Sequence, residues 1–292
     1  MNITRARALA ILGAAAMLPR CAGRFPIRIG SKNFTESIVI AEIYAQALEG
    51  AGLTIQRRFN LGSTQIVLSA MRNGVIDIYP EYTGTALIDV LHKAPVSDPK
   101  LAYHIVKDAF SHGYGIDWLE PSPMDDSQGI ATTAHIASRY RLRTLSDLAR
   151  VSSQLRLATI PEFLTRADGL PGLQKLYGGF NFASVKSYDI ALKYQALLSG
   201  QADVATAFTT DGAIASNHLL VLDDDKHLWP PYNVAPLIRA ALNQQDPRIG
   251  ATLNAISASI TSSAAQAMNA SVERDGNDPT DVATQFVKAH TR

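Results

Sequence analysis

Hydrophobic residues along the chain fall into short apolar runs and into longer segments where they recur every three or four positions. The runs "IRIG" (27–30), "LTIQRRF" (53–59) and "VIDIY" (75–79) are typical of strands, and we expect Val75 to be buried in the third. The segments between them carry apolar residues at helical spacing and end at glycines such as Gly74. This alternation predicts an α/β fold with a parallel sheet and helices on both faces.

The second half repeats this plan. The segments "QGIATT" (128–133), "LRLATI" (155–160) and "ADVATAF" (202–208) resemble strands, with helical patterns between them. After "LLVLDDDKHLWPPYNVAPLIR" (219–239) the pattern is helical to the end of the chain. Because no low-complexity linker separates the halves, a second lobe would be joined to the first by short crossing segments.

Two segments show an internal echo of a helix, a glycine, an aspartate and then an aromatic residue. The matching pairs are each 126 residues apart: Gly74 and Gly200, Asp77 and Asp203, Tyr82 and Phe208. One interpretation is chance, since helix–glycine–strand is common in α/β proteins. The other is two similar lobes, each bringing one aromatic to a shared cleft at the carboxyl ends of its strands.

Composition adds a class of protein and a cellular compartment. The 292 residues are 47% hydrophobic and 18% charged with a net charge of +1, which fits a soluble globular protein and gives no basic surplus for nucleic acid. Arg5 and Arg7 precede an apolar run at 8–18, too short for a membrane span, so residues 1–24 are predicted to be a secretory signal. Cys21, the only cysteine, is either a lipid anchor or lost with the cleaved signal. We therefore expect a periplasmic protein.

Catalytic signatures are absent from the sequence. It contains no HExxH, GxSxG, CxxC, P-loop or GxGxxG motif, and its seven histidines lack metal-ligand spacing. The acidic clusters Asp125-Asp126 and 223–225 read equally well as solvated turns. We expect no enzyme activity, no cofactor and no metal site. An enzyme with Lys32, Asp126 and Tyr82 as acid–base groups is the alternative, and turnover of a candidate compound would reveal it.

A set of aromatic and polar residues lies at predicted strand ends and loops. Each has a plain alternative: Lys32 as a solvated lysine, Arg166 as a partner of Asp168, Tyr232 as a core residue. Together they lie where a cleft between two lobes would need them. The set is Lys32, Tyr82, Thr85, Arg166, Phe208 and Tyr232.

Several long motifs, in consistent order from about residue 26 to near the end, resemble the substrate-binding proteins of osmoprotectant ABC importers. They are "GSKNFTES", "DIYPEYTGT", "PEFLTRADGLPGLQKLYG", "TDG" and "DDKHLWPPYNVAPLIR". The resemblance implies an α/β, type II periplasmic-binding-protein fold, in which two α/β lobes are joined by two crossing strands. It implies crossings near Gln128 and near Lys226 to Leu228. Lobe one would be 25–127 plus 228–292, and lobe two 128–227.

The resemblance also implies a binding site for a quaternary ammonium compound. Such a cation has no N–H to donate, so aromatic faces hold it by cation–π attraction. The family's cage positions match Tyr82, Gln128, Phe208 and Tyr232. Gln128 departs from the family's tyrosine, which would weaken or enlarge the cage, and Asp126 would compensate with direct charge or be a solvated loop residue.

The carboxylate of a betaine is held in the family by a lysine, a threonine and an arginine. Those positions match Lys32, Thr85 and Arg166, and two cations there favour a zwitterion such as glycine betaine over choline. We therefore expect a monomeric binding component of an ABC importer that works with membrane permease and ATPase subunits. A different zwitterion or amino-acid-like ligand, or a role as a sensor partner, are the alternatives.

Overall fold

The computed structural model describes residues 26–190 and 192–290, so the predicted signal and Cys21 lie outside the described residues. No helix within these ranges has the length and apolar character required to cross a bilayer. The described residues form ten strands, which are β1 (Ile27–Gly30), β2 (Ile55–Arg58), β3 (Ile78–Tyr82), β4 (Ile116–Trp118), β5 (Gln128–Thr132), β6 (Arg156–Thr159), β7 (Ser184–Ser187), β8 (Val204–Phe208), β9 (Leu220–Val221) and β10 (Val234–Arg239).

Thirteen α-helical segments accompany the strands in the described ranges, and α3 is a single turn that continues into a π-helix at Ala86–Val90. They are α1 (Thr35–Gly50), α2 (Thr64–Arg72), α3 (Thr83–Thr85), α4 (Pro99–Tyr114), α5 (Ala134–Tyr140), α6 (Leu145–Val151), α7 (Leu170–Tyr177), α8 (Lys193–Leu198), α9 (Gly212–Ser216), α10 (Ala240–Gln245), α11 (Pro247–Ser257), α12 (Ser262–Glu273) and α13 (Pro279–His290). The α/β class predicted from the periodicity is confirmed.

The strands form two five-stranded sheets with the same internal plan. Their orders are β2-β1-β3-β10-β4 and β7-β6-β8-β5-β9. In each sheet the first three strands are parallel, and the last two join by antiparallel pairing. The prediction of purely parallel sheets is therefore wrong.

The first sheet is mixed because of strands that the periodicity did not reveal, whereas β5, the antiparallel partner of β8 in the second sheet, was expected as a strand. The strand β10 lies in the segment expected only to lead into helices, and Pro236 at its centre interrupts the usual signature of a strand. The chain returns from the second sheet and forms β10 in the first one. This strand runs antiparallel to β3, with Val234 opposite Tyr82. The chain thus passes between the sheets after β4 and again after β9.

The internal echo has a shared structural basis. Asp77 and Asp203 each precede the central strand of their sheet, and each accepts hydrogen bonds from the backbone N–H and the guanidinium of an arginine on the neighbouring parallel strand, Arg28 or Arg156. Each aspartate N–H donates back to that arginine's carbonyl, at 2.7 and 2.9 Å. The echo therefore marks the same anchor of the central strand in both halves.

The two crossing segments pair with each other between the sheets. Asp125 and Asn233 form an antiparallel bridge, and Asp126 N donates to Tyr232 O at 3.2 Å. The predicted boundaries at 127/128 and 227/228 fall within the two passages, and we propose them as the limits of the lobes. Helix α12 packs against both α1 and α9.

The end of β3 differs in detail from its expected form. Val75 is 48% exposed and lies in the turn before the strand, so the expectation that it is buried is wrong. The strand instead continues through Pro80 and Glu81 to Tyr82, with all five residues buried. Because β3 is central in its sheet and covered on both faces, it holds Tyr82 in a fixed position facing the second sheet.

Candidate functional site

A cavity of about 210 Å³ lies between the two sheets. It is smaller than the roughly 300–1,000 Å³ of sites for drug-sized ligands, which suits a small solute. All eight residues that the sequence singled out line it: Lys32, Tyr82, Thr85, Asp126, Gln128, Arg166, Phe208 and Tyr232. The fold thus brings together residues that are up to 200 positions apart in the chain.

Three aromatic side chains reach the cavity from the ends of strands. Tyr82 ends β3, Phe208 ends β8, and Tyr232 precedes β10. Two internal ammonium groups already lie over these rings: Lys32 Nζ is 4.9 Å from the Tyr82 centroid, and Lys193 Nζ is 5.0 Å from that of Phe208. Aromatic rings in this cavity are therefore already engaged with positive charge.

Lys32 is not a solvated loop lysine, because it is only 4% exposed. Its Nζ lies 2.5 Å from Oε1 of Glu81, which is fully buried. The other oxygen of Glu81 accepts a 3.2 Å hydrogen bond from the hydroxyl of Tyr79. Burial of Tyr79 beside this carboxylate raises the pKa of its phenol. The positive charge of Lys32 is thus neutralised within the protein.

Arg166 and Asp168 form a second buried pair, as the plain alternative for Arg166 predicted. Nε and Nη2 of Arg166 hold both oxygens of Asp168, at 2.8 and 2.6 Å. Gln128 Nε2 donates to the same carboxylate at 2.6 Å, and so does the hydroxyl of Tyr232. Burial and the Asp168 charge raise the pKa of Tyr232, so it remains a donor. The carboxylate of Asp168 therefore orients Arg166, Gln128 and Tyr232 in the cavity.

Gln128 occupies the position where a cage aromatic was expected from the resemblance. It begins β5 opposite Phe208 in the antiparallel register. Its amide donates to both Asp168 and the Tyr232 hydroxyl, the latter at 3.1 Å. The residue thus replaces a hydrophobic wall with a polar bridge between β5 and Tyr232.

Asp126 is also not a solvated loop residue. It is 7% exposed, and its Oδ1 accepts the Thr210 hydroxyl at 2.5 Å. Nearby, Glu36 accepts the Tyr82 hydroxyl at 2.7 Å and Asn269 Nδ2 at 2.8 Å. Burial raises the pKa of both carboxyl groups, and repulsion from Asp211 raises both further. The charge of Glu36 also raises the pKa of Asp126. One part of the cavity is therefore acidic and buried.

Sequence reasoning missed a further group of residues that line the cavity. Asn269 and Glu273 are polar positions one helical turn apart on α12, and this i, i+4 spacing was a signal that they share a face. Glu36 lies in the first turn of α1. The missed residues include Phe34, Glu36, Phe163, Tyr188, Thr210, Asn269 and Glu273.

No three histidine, cysteine, aspartate or glutamate side chains in the described ranges are arranged to hold a metal ion. The site instead combines aromatic rings, neutralised cations and buried carboxyls in a small cavity between two α/β halves. A two-sheet fold of this kind with such a cavity defines the type II periplasmic-binding-protein class, which the solved relatives share.

The chain belongs to the substrate-binding proteins of ABC-type glycine betaine transport systems, whose family model, OpuAC, matches residues 26–289. It is 33% identical over 288 residues to a glycine-betaine-binding protein of Pseudomonas aeruginosa, with 92% of each chain covered. It is 31% identical over 290 residues to glycine betaine-binding protein YehZ of Escherichia coli, covering 95% of this chain and 94% of YehZ. Proteins of this family bind substrates and are not enzymes.

A solved structure described as a glycine betaine/carnitine/choline ABC transporter gives a TM-score of 0.76 at 32% identity. The match covers 90% of this chain and 98% of that one. Apo YehZ from Escherichia coli gives a TM-score of 0.68 at 30% identity, covering 91% and 99%. The fold implied by the sequence resemblance is confirmed.

Proposed function

We propose that this protein captures a small quaternary ammonium zwitterion such as glycine betaine in the cavity between its sheets. The observation that carries the proposal is the convergence of Tyr82, Phe208 and Tyr232 on one small cavity that also contains Lys32 and Arg166. The named relatives that bind glycine betaine support the same ligand class.

The aromatic rings supply the recognition of the ammonium head. A trimethylammonium group has no N–H, so it gains little from hydrogen-bond acceptors and much from aromatic faces. Each ring contact contributes about 0.5–2 kcal/mol, the larger values where water is excluded. Tyr82 and Tyr232 are both nearly fully buried, which favours the stronger end of that range.

The carboxylate of the zwitterion would be held by donors that remain free on paired cations. A lysine ammonium has three N–H donors and a guanidinium has five. Lys32 uses one on Glu81, and Arg166 uses two on Asp168. Their remaining donors, with the hydroxyl of Thr85 on the same cavity, support binding of an anionic group.

The ligand would then be delivered to a membrane permease driven by ATPase subunits, with the binding protein acting as a monomer in the periplasm. The family description as part of an ABC-type transport system supports this role. Residues 1–24 would direct export, and a lipid anchor at Cys21 would be one way to retain the protein at the membrane.

A bulkier zwitterion is the second candidate, and Gln128 favours it. Where an aromatic wall was expected, the cavity has a shorter polar side chain. A relative from Listeria monocytogenes, 31% identical over 265 residues, is a carnitine transport binding protein. Carnitine is longer than glycine betaine and would use the space that the missing ring leaves.

Calorimetric titration with glycine betaine and choline tests the zwitterion assignment. We expect Arg166→Ala to weaken glycine betaine binding at least tenfold more than choline binding, because only glycine betaine has a carboxylate. The ratio of the two affinities is the readout, since loss of the pair with Asp168 affects the folded protein in both titrations. Equal losses for the two ligands would exclude Arg166 from carboxylate binding.

A further inference from the structure

Four carboxyl groups line one part of the cavity, and one ammonium group pairs with one of them. They are Glu36, Asp126, Asp211 and Glu273. The ammonium is that of Lys193, and it pairs with Asp211 at 3.0 Å. Among the residues that the structure describes, no cation pairs with Glu36, Asp126 or Glu273. This part of the cavity therefore has an excess of carboxyl groups that the proposed cage does not explain.

Glu36 and Asp126 lie deepest in this group. Both oxygens of Glu36 accept hydrogen bonds, one from Tyr82 and one from Asn269. The hydrogen bonds to Asp126 both come from Thr210 and both reach Oδ1, so Oδ2 receives none from any described residue. Burial raises the pKa of both carboxyls, and the charge of Glu36 adds to the rise at Asp126. Two buried carboxyls without a paired cation resist ionising together.

Asn269 gives an independent observation that points to a positively charged ligand group at this position. Its side chain lines the cavity and is 3% exposed. Nδ2 donates to Glu36 and to the Thr210 carbonyl, which fixes the orientation of the amide. Its Oδ1 has no hydrogen-bond partner within the described ranges. A buried acceptor without a donor is costly, and beside two carboxyls it adds negative potential that a positive charge in the cavity would offset.

We propose that Glu36, Asp126 and Asn269 form a cation subsite, in which the two carboxyls hold one proton before the ligand binds and the positively charged nitrogen of the ligand replaces it. The proposal rests on the proposed function and extends it. The proton leaves to solvent as the ligand enters, and the subsite gains a full negative charge opposite the ligand cation. It supplies by charge what the absent aromatic at Gln128 would have supplied by cation–π attraction.

The occupant is a ligand nitrogen rather than a metal ion, because no suitable group of metal ligands exists in the described ranges. A charged nitrogen without N–H needs a negative potential and not directed acceptors, which matches this subsite. The Tyr82 hydroxyl connects the subsite directly to a proposed cage ring. A cation over that ring would therefore be attracted by both the aromatic face and the carboxyls of the subsite.

Other titratable and charged groups face the subsite and affect its proton balance. Lys193 and Tyr194 on α8 both bind Asp211, and Lys32 lies over the ring of Tyr82. Glu273 on α12 is more accessible, and partial burial with repulsion from Asp211 raises its pKa to about 7. Glu273 would titrate near neutral pH, so a variant is needed to distinguish its proton from that of Glu36 and Asp126.

The test is calorimetric titration of the full mature chain with glycine betaine in two buffers of different ionisation enthalpy at pH 7. We expect the apparent enthalpies to differ by an amount that corresponds to release of up to one proton per ligand. Because ligand and proton compete, the affinity should fall as the pH is lowered, by up to about tenfold per pH unit where one proton is released. If glycine betaine binds with the same apparent enthalpy in both buffers, the cation subsite is overturned and the proposed function is not.

Two variants and one ligand analogue test which carboxyl releases the proton. Asp126→Asn preserves the shape and the acceptor for Thr210, and we expect it to weaken glycine betaine binding at least tenfold and to abolish proton release. Glu273→Gln removes another carboxyl that titrates near neutral pH, and proton release should persist in this variant. Proton release that persists in Asp126→Asn, or disappears in Glu273→Gln, overturns the assignment.

The probe 3,3-dimethylbutanoate has the shape of glycine betaine with carbon in place of the charged nitrogen. We expect it to cause no proton release, and release with this probe would overturn the exchange of cation for proton. Failure of glycine betaine, carnitine and choline all to bind would overturn the proposed function together with the subsite.

Discussion

At the scale of single residues, Tyr82 joins interactions that sequence reasoning treated separately. Its ring has Lys32 at 4.9 Å, its hydroxyl donates to Glu36, and its backbone N–H donates to Glu81 at 2.7 Å. The burial of the phenol beside Glu36 and Asp126 raises its pKa, so the hydroxyl remains a donor. Tyr82 therefore has two separable properties, an aromatic face and a hydrogen bond to the acidic group.

Two substitutions at Tyr82 separate these properties. Both Tyr82→Phe and Tyr82→Leu lose the hydroxyl, but only Tyr82→Leu loses the ring. If the ring binds the ammonium head, Tyr82→Leu should weaken glycine betaine binding about 2- to 30-fold more than Tyr82→Phe does, which is the worth of one cation–π contact. Calorimetric affinities of the two variants provide the measurement. Equal affinities would remove Tyr82 from the cage.

At the scale of elements, the junction between β3 and α3 sets the position of Tyr232. Gly84 lies in α3, and an added Cβ would come within 2.6 Å of the Tyr232 ring. Val234, two residues after Tyr232, pairs with Tyr82 in the sheet. The absence of a side chain at Gly84 thus allows the crossing segment to place an aromatic ring directly against the end of β3.

Gly84→Ala should displace the Tyr232 ring. Overpacking of this kind costs about 1–3 kcal/mol, because the surrounding side chains are closely packed. We expect a lower Tm and weaker glycine betaine binding, measured by thermal denaturation and calorimetry. Gly50→Ala is the matched control, because an added Cβ there meets nothing within 4 Å. If Gly84→Ala behaves like Gly50→Ala, the close approach does not position the ring.

At the scale of the whole molecule, two sheets with the same plan face each other across the cavity. The crossing segments at Asp125 and Asn233 connect them, and α12 contacts helices on both sides. Hydrogen bonds also pass across the cavity, from Gln128 to Tyr232 and from Asn269 to both Glu36 and the Thr210 carbonyl. A ligand in the cavity would therefore contact both halves at once.

We expect saturating glycine betaine to close the two halves around it, by a hinge motion at the crossing segments. Small-angle X-ray scattering should show a smaller radius of gyration for the liganded than for the ligand-free protein. Tyr82→Leu at the same ligand concentration should show a smaller decrease, in proportion to its lower occupancy. An unchanged radius at proven saturation would show that binding occurs without closure.

The sequence by itself determined the α/β class and the family, and its internal echo indicated a repeated plan that the two sheets then established. These rest on local signals: the hydrophobic period of each segment, glycines at helix ends, and motifs such as "DIYPEYTGT" that are continuous in the chain. It also selected eight residues that line one cavity. Six were selected for their predicted place at strand ends and loops, and Gln128 and Asp126 through the family resemblance.

The tertiary structure decided the direction of the strands and the partners of the charges. The position of β10 in the first sheet depends on where the crossing segment enters, and no local pattern records that. Arg166 lies two residues from Asp168, but Gln128 and Tyr232 reach the same carboxylate from 40 and 64 residues away. Asn269 meets Glu36 across 233 residues. The charge balance of the cavity comes from such distant contacts, which form only when the packed lobes bring the chain together.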